Sequence, residues 1–119
     1  MDRKLLGSWG EERAADFLRK KGCKIIGMNY KVRFGEIDII AESAEYLIFA
    51  EVKLRKNDRF AQAREFVTAS KQMKIKAAAS MWLGSNETAL QPRFDVVEIY
   101  APDGIGGKYT INHIENAFE

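Results

Sequence analysis

The chain has 119 residues, 46% of them hydrophobic and 30% charged, which suits one domain spanning residues 1–119 around one core. Its 19 basic and 17 acidic side chains leave a formal net charge of +2, so bulk charge does not make it a nucleic-acid wrapper, and any such contact needs a local basic patch. A single cysteine and a single histidine exclude an internal disulfide, a cysteine zinc site and histidine-pair metal motifs; a bound metal would be held by carboxylates, which favours Mg²⁺ or Mn²⁺.

The opening MDRKLLGSWGEE turns charged too soon for a signal peptide. No apolar run approaches the roughly 20 residues of a membrane span, so the expectation is a cytoplasmic protein with no membrane partner. Ser8-x-x-Glu11 reads as a capping box that opens a helix running to Lys21, with Gly22 as its stop. Ala14 and Leu18 follow Glu11 by three and seven positions, which places all three on one helical stripe and tips Glu11 toward the packed side. A bond back to Ser8 and a role in a site are about equally consistent with that placement.

Lys24 to Arg33 reads as a first strand, with Asn29 and Tyr30 as structural residues. Arg33 is either a phosphate contact or a solvated charge. A turn through Phe34 and Gly35 leads into the most informative stretch, GEIDIIAESAEYLIFAEVKLR, Gly35 to Arg55. Glu36–Glu42 and Glu45–Arg55 read as two antiparallel strands; the second is apolar on both faces, as a central strand is. Asp38, Glu51 and Lys53 are charges in strands that should be buried. Closing the hairpin over Ser43 and Ala44 sets Glu42 opposite Glu45, Asp38 opposite Phe49 and Glu36 opposite Glu51. Alternation then puts Asp38 on the face of Glu51 and Lys53, about 7–8 Å from Glu51 between backbone positions. Two carboxylates converging from there can clamp one hard cation. An odd-numbered loop would send Asp38 to the other face. Glu36 reaches the same face, or bonds within the Gly35 turn.

A polar loop, Lys56 to Arg59, precedes a helix expected from Gln62 or Arg64 to Leu83, with Phe66, Ala69 or Ser70, Met73, Ala77 and Met81 as its apolar stripe. Lys74 and Lys76 read as a solvated face. After a loop from Gly84 to Gln91, Arg93–Ala101 alternates as a strand with Phe94, Val96 and either Val97 or Ile99 inward. Turns at Pro102-Asp103-Gly104 and Gly106-Gly107 lead to an edge strand, Lys108–Ile114. Asp95 is expected in an ion pair with a basic neighbour, and His113 at the surface or in packing.

Asp38 followed by Glu51-Val52-Lys53 resembles the D…(D/E)-x-K signature of restriction-endonuclease-like, PD-(D/E)XK, phosphodiesterases, with Ile37 where that superfamily has proline. The wider text is similar to the YraN-like family of small bacterial proteins: GEERAADFLRKKG, NYKVRFGEIDIIA, FAEVKLR, Lys71, RFDVV and the closing NAF match in order. That resemblance covers nearly the whole chain. It implies an α/β fold with an α-β-β-β-α-β core, a mixed central sheet flanked by helices and one added C-terminal edge strand. It also implies a metal-dependent nuclease of the Holliday-junction-resolvase-like branch, with DNA favoured over RNA, branched DNA among the substrates, and a homodimer where cleavage is symmetric.

The implied site comprises Asp38 and Glu51 as metal ligands with the Val52 carbonyl, Glu11 assisting from the first helix, and Lys53 positioning the attacking water. Lys71, Gln72, Arg33 and Arg55 are the residues expected to meet the nucleic acid. Two other classes compete: a catalytically silent nucleic-acid-binding module of the same fold, and an adaptor that recruits a partner around Trp9 or Trp82.

Overall fold

Residues 3–56 and 67–119 are described by the computed structural model, in the order α1 (Arg3–Lys20), β1 (Lys24–Val32), β2 (Gly35–Glu42), β3 (Tyr46–Arg55), α2 (Ala69–Ser85), β4 (Gln91–Tyr100) and β5 (Thr110–Phe118). The five strands form one sheet in the order β1-β2-β3-β4-β5, in which only β3 and β4 run parallel. A parallel neighbour requires a crossover, and α2 supplies it. This is the expected restriction-endonuclease-like core with an added edge strand.

The sheet separates two apolar layers. On one face Ala14, Ala15 and Leu18 of α1 pack on Ile39, Ala41, Ile48, Ala50, Val97 and Ile99; on the other, Ile75, Ala78 and Ala79 of α2 pack on Ile37, Ile40, Leu47, Phe49 and Val96. Strand β3 alternates cleanly between the layers, because a central strand must satisfy both. Strand β4 is likewise buried on both faces from Asp95 through Ile99, so Val97 and Ile99 both pack inward, against α1. Trp9 and Trp82 pack on opposite layers, Trp9 edge-on to Tyr109 at 5.3 Å and Trp82 to Phe49 at 6.1 Å.

Three expectations need correcting. Helix α1 starts at Arg3, five residues before Ser8, so Ser8 is helical and no capping box forms. At its other end Gly22 adopts φ +94°, the left-handed conformation of a C-terminal cap. The β2–β3 hairpin pairs Glu42 with Leu47 rather than with Glu45. Ser43 sets that turn: its N–H donates to the Tyr46 carbonyl at 2.9 Å and its Oγ accepts from the Tyr46 N–H at 3.0 Å, which centres the turn on Ala44 and Glu45. The register therefore slides by two, and an even slide preserves which face each residue occupies.

Helix α2 begins at Ala69, capped by the Thr68 hydroxyl, which accepts from the Lys71 N–H at 3.1 Å. The loop and helix start expected between Asn57 and Phe66 lie outside the described residues. The buried stripe of α2 is Ile75, Ala78 and Ala79, while Met73 and Met81 are 71% and 51% exposed. Small residues meet the sheet so that the helix can lie close to it, and the flexible methionines are left outside.

His113 takes the second of its two expected places, in packing, with its ring edge-on to Phe17 at 6.0 Å. Its Nε2 lies 2.7 Å from Asp95 Oδ2 and its Nδ1 2.8 Å from Lys21 Nζ. Asp95, fully buried, also receives two 2.9 Å bonds from Arg93 and one of 3.0 Å from the Asn116 N–H. Burial alone would raise its pKa, but the bonds from His113, Arg93 and Asn116 outweigh it and hold the carboxylate below the usual range. Asp95 has the basic partner expected for it, and the network joins β4, β5 and the end of α1.

Candidate active site

The β2–β3 ladder runs from Glu42–Leu47 to Ile39–Ala50, while β3 stays paired with β4 as far as Arg55–Tyr100. The two central strands thus part at the next pair of residues, Asp38 and Glu51. Two features mark the break. Ile37 and Ile39, which strict alternation would place on one face, pack in opposite layers, and Asn29 on the neighbouring β1 adopts φ 54°. The Asp38 side chain turns into the gap, where its Oδ2 accepts the Val52 N–H at 2.8 Å.

From the gap Asp38 meets groups of both layers. On the α2 side lie Glu51 and Lys71; from α1 comes Glu11, close enough to Asn29 and Asp38 for both to act on its carboxyl. Asp38 and Glu51 are only 8% and 6% exposed. Lys71 Nζ stands 3.4 Å and Lys53 Nζ 3.9 Å from Glu51 Oε1. Burial, then the Asp38 charge, push the Glu51 carboxyl up to about 7 against the pull of both lysines. Asp38 is raised mainly by burial, opposed by the Val52 N–H. Glu11 is raised for the same reason, opposed by Asn29. Three acidic groups are thus held where their charges are unfavourable, an arrangement that a cation would relieve.

The residues singled out in the sequence fall into three groups. Asp38, Glu51, Lys53, Glu11 and Lys71 converge, and Val52 joins through its N–H. Glu36 adds to the negative field at Asp38 and pairs with Lys31 at 3.5 Å. Arg33 lines a neighbouring cavity of about 460 Å³ with Lys71. Gln72 instead ties down the start of α2, its Nε2 donating to the Val67 carbonyl at 2.9 Å. Arg55 turns inward, with its Nε 3.8 Å from Oε2 of the fully buried Glu98.

Glu98 is the residue that sequence reasoning missed. It sits beside Lys53 in the parallel β3–β4 register and accepts from the Tyr100 hydroxyl at 2.8 Å and the Asn112 amide at 2.7 Å. The signal was present, since a carboxylate inside the apolar run VVEIY is as anomalous as Glu51 in β3. Asn29 was read as a structural residue; it also lies near enough to Glu11 to draw the pKa of that carboxyl down.

Among the described residues, no group of three or more His, Cys, Asp or Glu side chains is gathered closely enough to hold a metal ion. The convergent oxygen donors are two buried carboxylates with Glu11 behind them. Mg²⁺ keeps several waters and takes one or two protein carboxylates together with substrate phosphates, so the donor set fits that ion through Asp38 and Glu51.

Strand order, the crossover helix and charged residues where the central strands part define a restriction-endonuclease-like α/β protein. Residues 10–99 match the model of Uncharacterised protein family UPF0102, and the chain belongs to that family. It is 46% identical over 114 residues to a UPF0102 protein of Syntrophomonas wolfei, which covers 95% of this chain and 96% of the relative. A UPF0102 protein of Alkaliphilus oremlandii is 42% identical over 118 residues, covering 97% and 98% of the two chains. One of Clostridioides difficile is 42% identical over 119 residues, covering 99% and 100%.

Proposed function

We propose that the protein is a metal-dependent nuclease that hydrolyses phosphodiester bonds, with DNA as its substrate and Mg²⁺ or Mn²⁺ held by Asp38 and Glu51. The observation that carries this reading is the pairing of those buried carboxylates at the point where β2 and β3 separate, with two lysines against one of them. A divalent cation bound there would polarise a phosphoryl oxygen and acidify a water.

The chain's own residues do the rest. The Val52 N–H holds Asp38 in place and keeps one of its oxygens directed into the gap. Lys53, close to Glu51, carries positive charge to a pentacoordinate phosphate and orients the attacking water. Lys71 faces the same carboxylate from α2 and balances charge on the other side. Glu11, on the α1 side, adds negative charge next to Asp38 and assists in drawing the cation.

The test is cleavage of single-stranded, duplex and branched DNA, and of RNA, with Mg²⁺ or Mn²⁺, by the wild type and by Asp38→Asn and Lys53→Ala. Metal-dependent cutting that both variants lose supports the reading. Activity that is equal in all three proteins and independent of metal ends it.

A nucleic-acid-binding module without catalysis is the second reading, favoured by the lack of a gathered three-ligand cluster among the described residues. It predicts salt-dependent DNA binding by wild type and Asp38→Asn alike, with no cutting by either. The adaptor reading loses its support, because Trp9 and Trp82 both pack against the core.

A further inference from the structure

Next to the carboxylates, the β1–β2 turn and the first turns of α2 flank an open groove, the 460 Å³ space noted above, whose side chains include Lys31, Arg33, Phe34, Glu36, Lys71 and Lys74. Four cations thus face one carboxylate, in a chain whose whole formal charge is only +2. Phe34 stands among them 61% exposed, with the Arg33 guanidinium 5.6 Å from its ring centroid. Ring and guanidinium together present a flat, exposed surface beside the lysines of the groove.

The walls of this groove are held together. Gly35 lies so close to α2 that a Cβ there would run into the Lys74 carbonyl, which fixes the Phe34 turn against the helix. Lys71 lines the groove and also pairs with Glu51 at 3.4 Å, so one side chain links the groove to the carboxylates.

We propose that this groove binds an unpaired stretch of nucleic acid, its phosphates on Lys31, Arg33, Lys71 and Lys74 and one base stacked on Phe34. The proposal rests on the nuclease reading for its substrate class and adds what that reading leaves open, a requirement for a base free of its partner. The face of a ring buried in a duplex is covered by its neighbours; only a single strand, an end or a splayed base offers it to Phe34. An acidic peptide would satisfy the lysines but would leave the aromatic ring without a role.

The experiment measures binding, in EDTA, of a thymidine 12-mer and of a blunt duplex of the same length to the wild type, Phe34→Ala and Phe34→Tyr. The wild type is expected to prefer the single strand. Phe34→Ala should lose about tenfold or more on the single strand, as the loss of one stacked base implies, and little on the duplex, while Phe34→Tyr retains the preference. Because Phe34 is exposed, its removal leaves both apolar layers intact. A double variant, Lys31→Ala with Lys74→Ala, should lower the slope of log K against log salt by about 1.4.

Equal binding of both ligands by wild type and Phe34→Ala overturns the proposal. So does displacement of the oligonucleotide by polyglutamate as effective as by unlabelled strand. The same proteins assayed with Mn²⁺ separate the two readings. Phe34-dependent binding without any cutting leaves the groove and removes the enzyme; cutting with Phe34-independent binding does the reverse.

Discussion

The main-chain N–H of Val52 donates to Asp38 Oδ2 at 2.8 Å, two residues past Ala50 and one short of Ile39, the last β2–β3 rung. A side chain thus takes over where main-chain pairing ends. The bond does two things at once: it satisfies a half-buried donor that has lost its strand neighbour, and it holds a carboxylate beside Glu51 in the opening between the strands.

The raised carboxyls set the pH dependence of stability. Glu51 titrates near 7 in the folded protein and near 4.5 as a free side chain, so the folded state holds the extra proton between those values. Stability in metal-free buffer is fully present below about 4.5 and declines as pH rises through about 7, by up to about 3 kcal/mol from this group. Asp38 and Glu11 shift in the same direction. Urea unfolding across this window should show the decline, and Glu51→Gln should flatten it and raise the stability measured at pH 8.

Asp95 has the opposite sign. Its carboxyl is held low, so its contribution is present above about 3.8 and is lost as pH falls through the folded value. Asp95→Asn leaves Arg93 and His113 facing a neutral partner and should cost about 3–5 kcal/mol at pH 7, read as a fall in urea midpoint. The loss should shrink at pH 3.

Lys53 and Lys71 sit on the same Glu51 oxygen but come from a strand and a helix. If Lys53 acts on the attacking water, Lys53→Ala should lower the single-turnover cleavage rate by about 10²–10³-fold, the size seen when a preorganised charge is removed from a transition state. Lys71→Ala should act more on affinity, raising the dissociation constant and reducing its salt slope.

Arg55 and Glu98 predict a structural phenotype. Glu98→Ala strips the Tyr100 hydroxyl, the Asn112 amide and the Arg55 guanidinium of a common buried partner. The expected cost is about 3–5 kcal/mol, measured by thermal or urea unfolding. Arg55→Ala should lower the melting temperature while leaving the salt slope of DNA binding unchanged, which is the reverse of a phosphate contact.

Gly35→Ala tests how tightly the β1–β2 turn is set against α2. The new methyl meets main-chain carbonyl rather than a flexible side chain, so the helix or the turn must shift. A loss of about 1–3 kcal/mol is expected, together with weaker single-strand binding, since the groove depends on that approach.

Particular residues show where reading the chain succeeds and where it stops. The E-V-K run, the apolar strand around it and the order of elements were legible because alternation and turn signals are local. Face assignment for Glu51 and Lys53 was legible for the same reason. The register was off by two, since Ser43 selects the turn through its own hydrogen bonds and a neighbouring even loop leaves an identical pattern of faces. The α2 stripe was misread because period alone does not say whether methionines or alanines meet the sheet. The reach of Arg55 toward Glu98 was invisible, since they are 43 residues apart in sequence and only the parallel register brings their strands together.

Taken alone, the order of residues determined which segments are strands, that Asp38, Glu51 and Lys53 interrupt the apolar pattern of two neighbouring ones, and that any hard metal here would depend on oxygen donors. Only the folded arrangement decided that the strands separate at Asp38, that Glu11 arrives from the opposite layer, and that Glu98 closes over Arg55. The physical reason is a difference in range. Alternation is imposed by each residue's own backbone, whereas the burial that raises a carboxyl, or the partner that neutralises it, is supplied by elements the chain reaches only after it has turned back on itself.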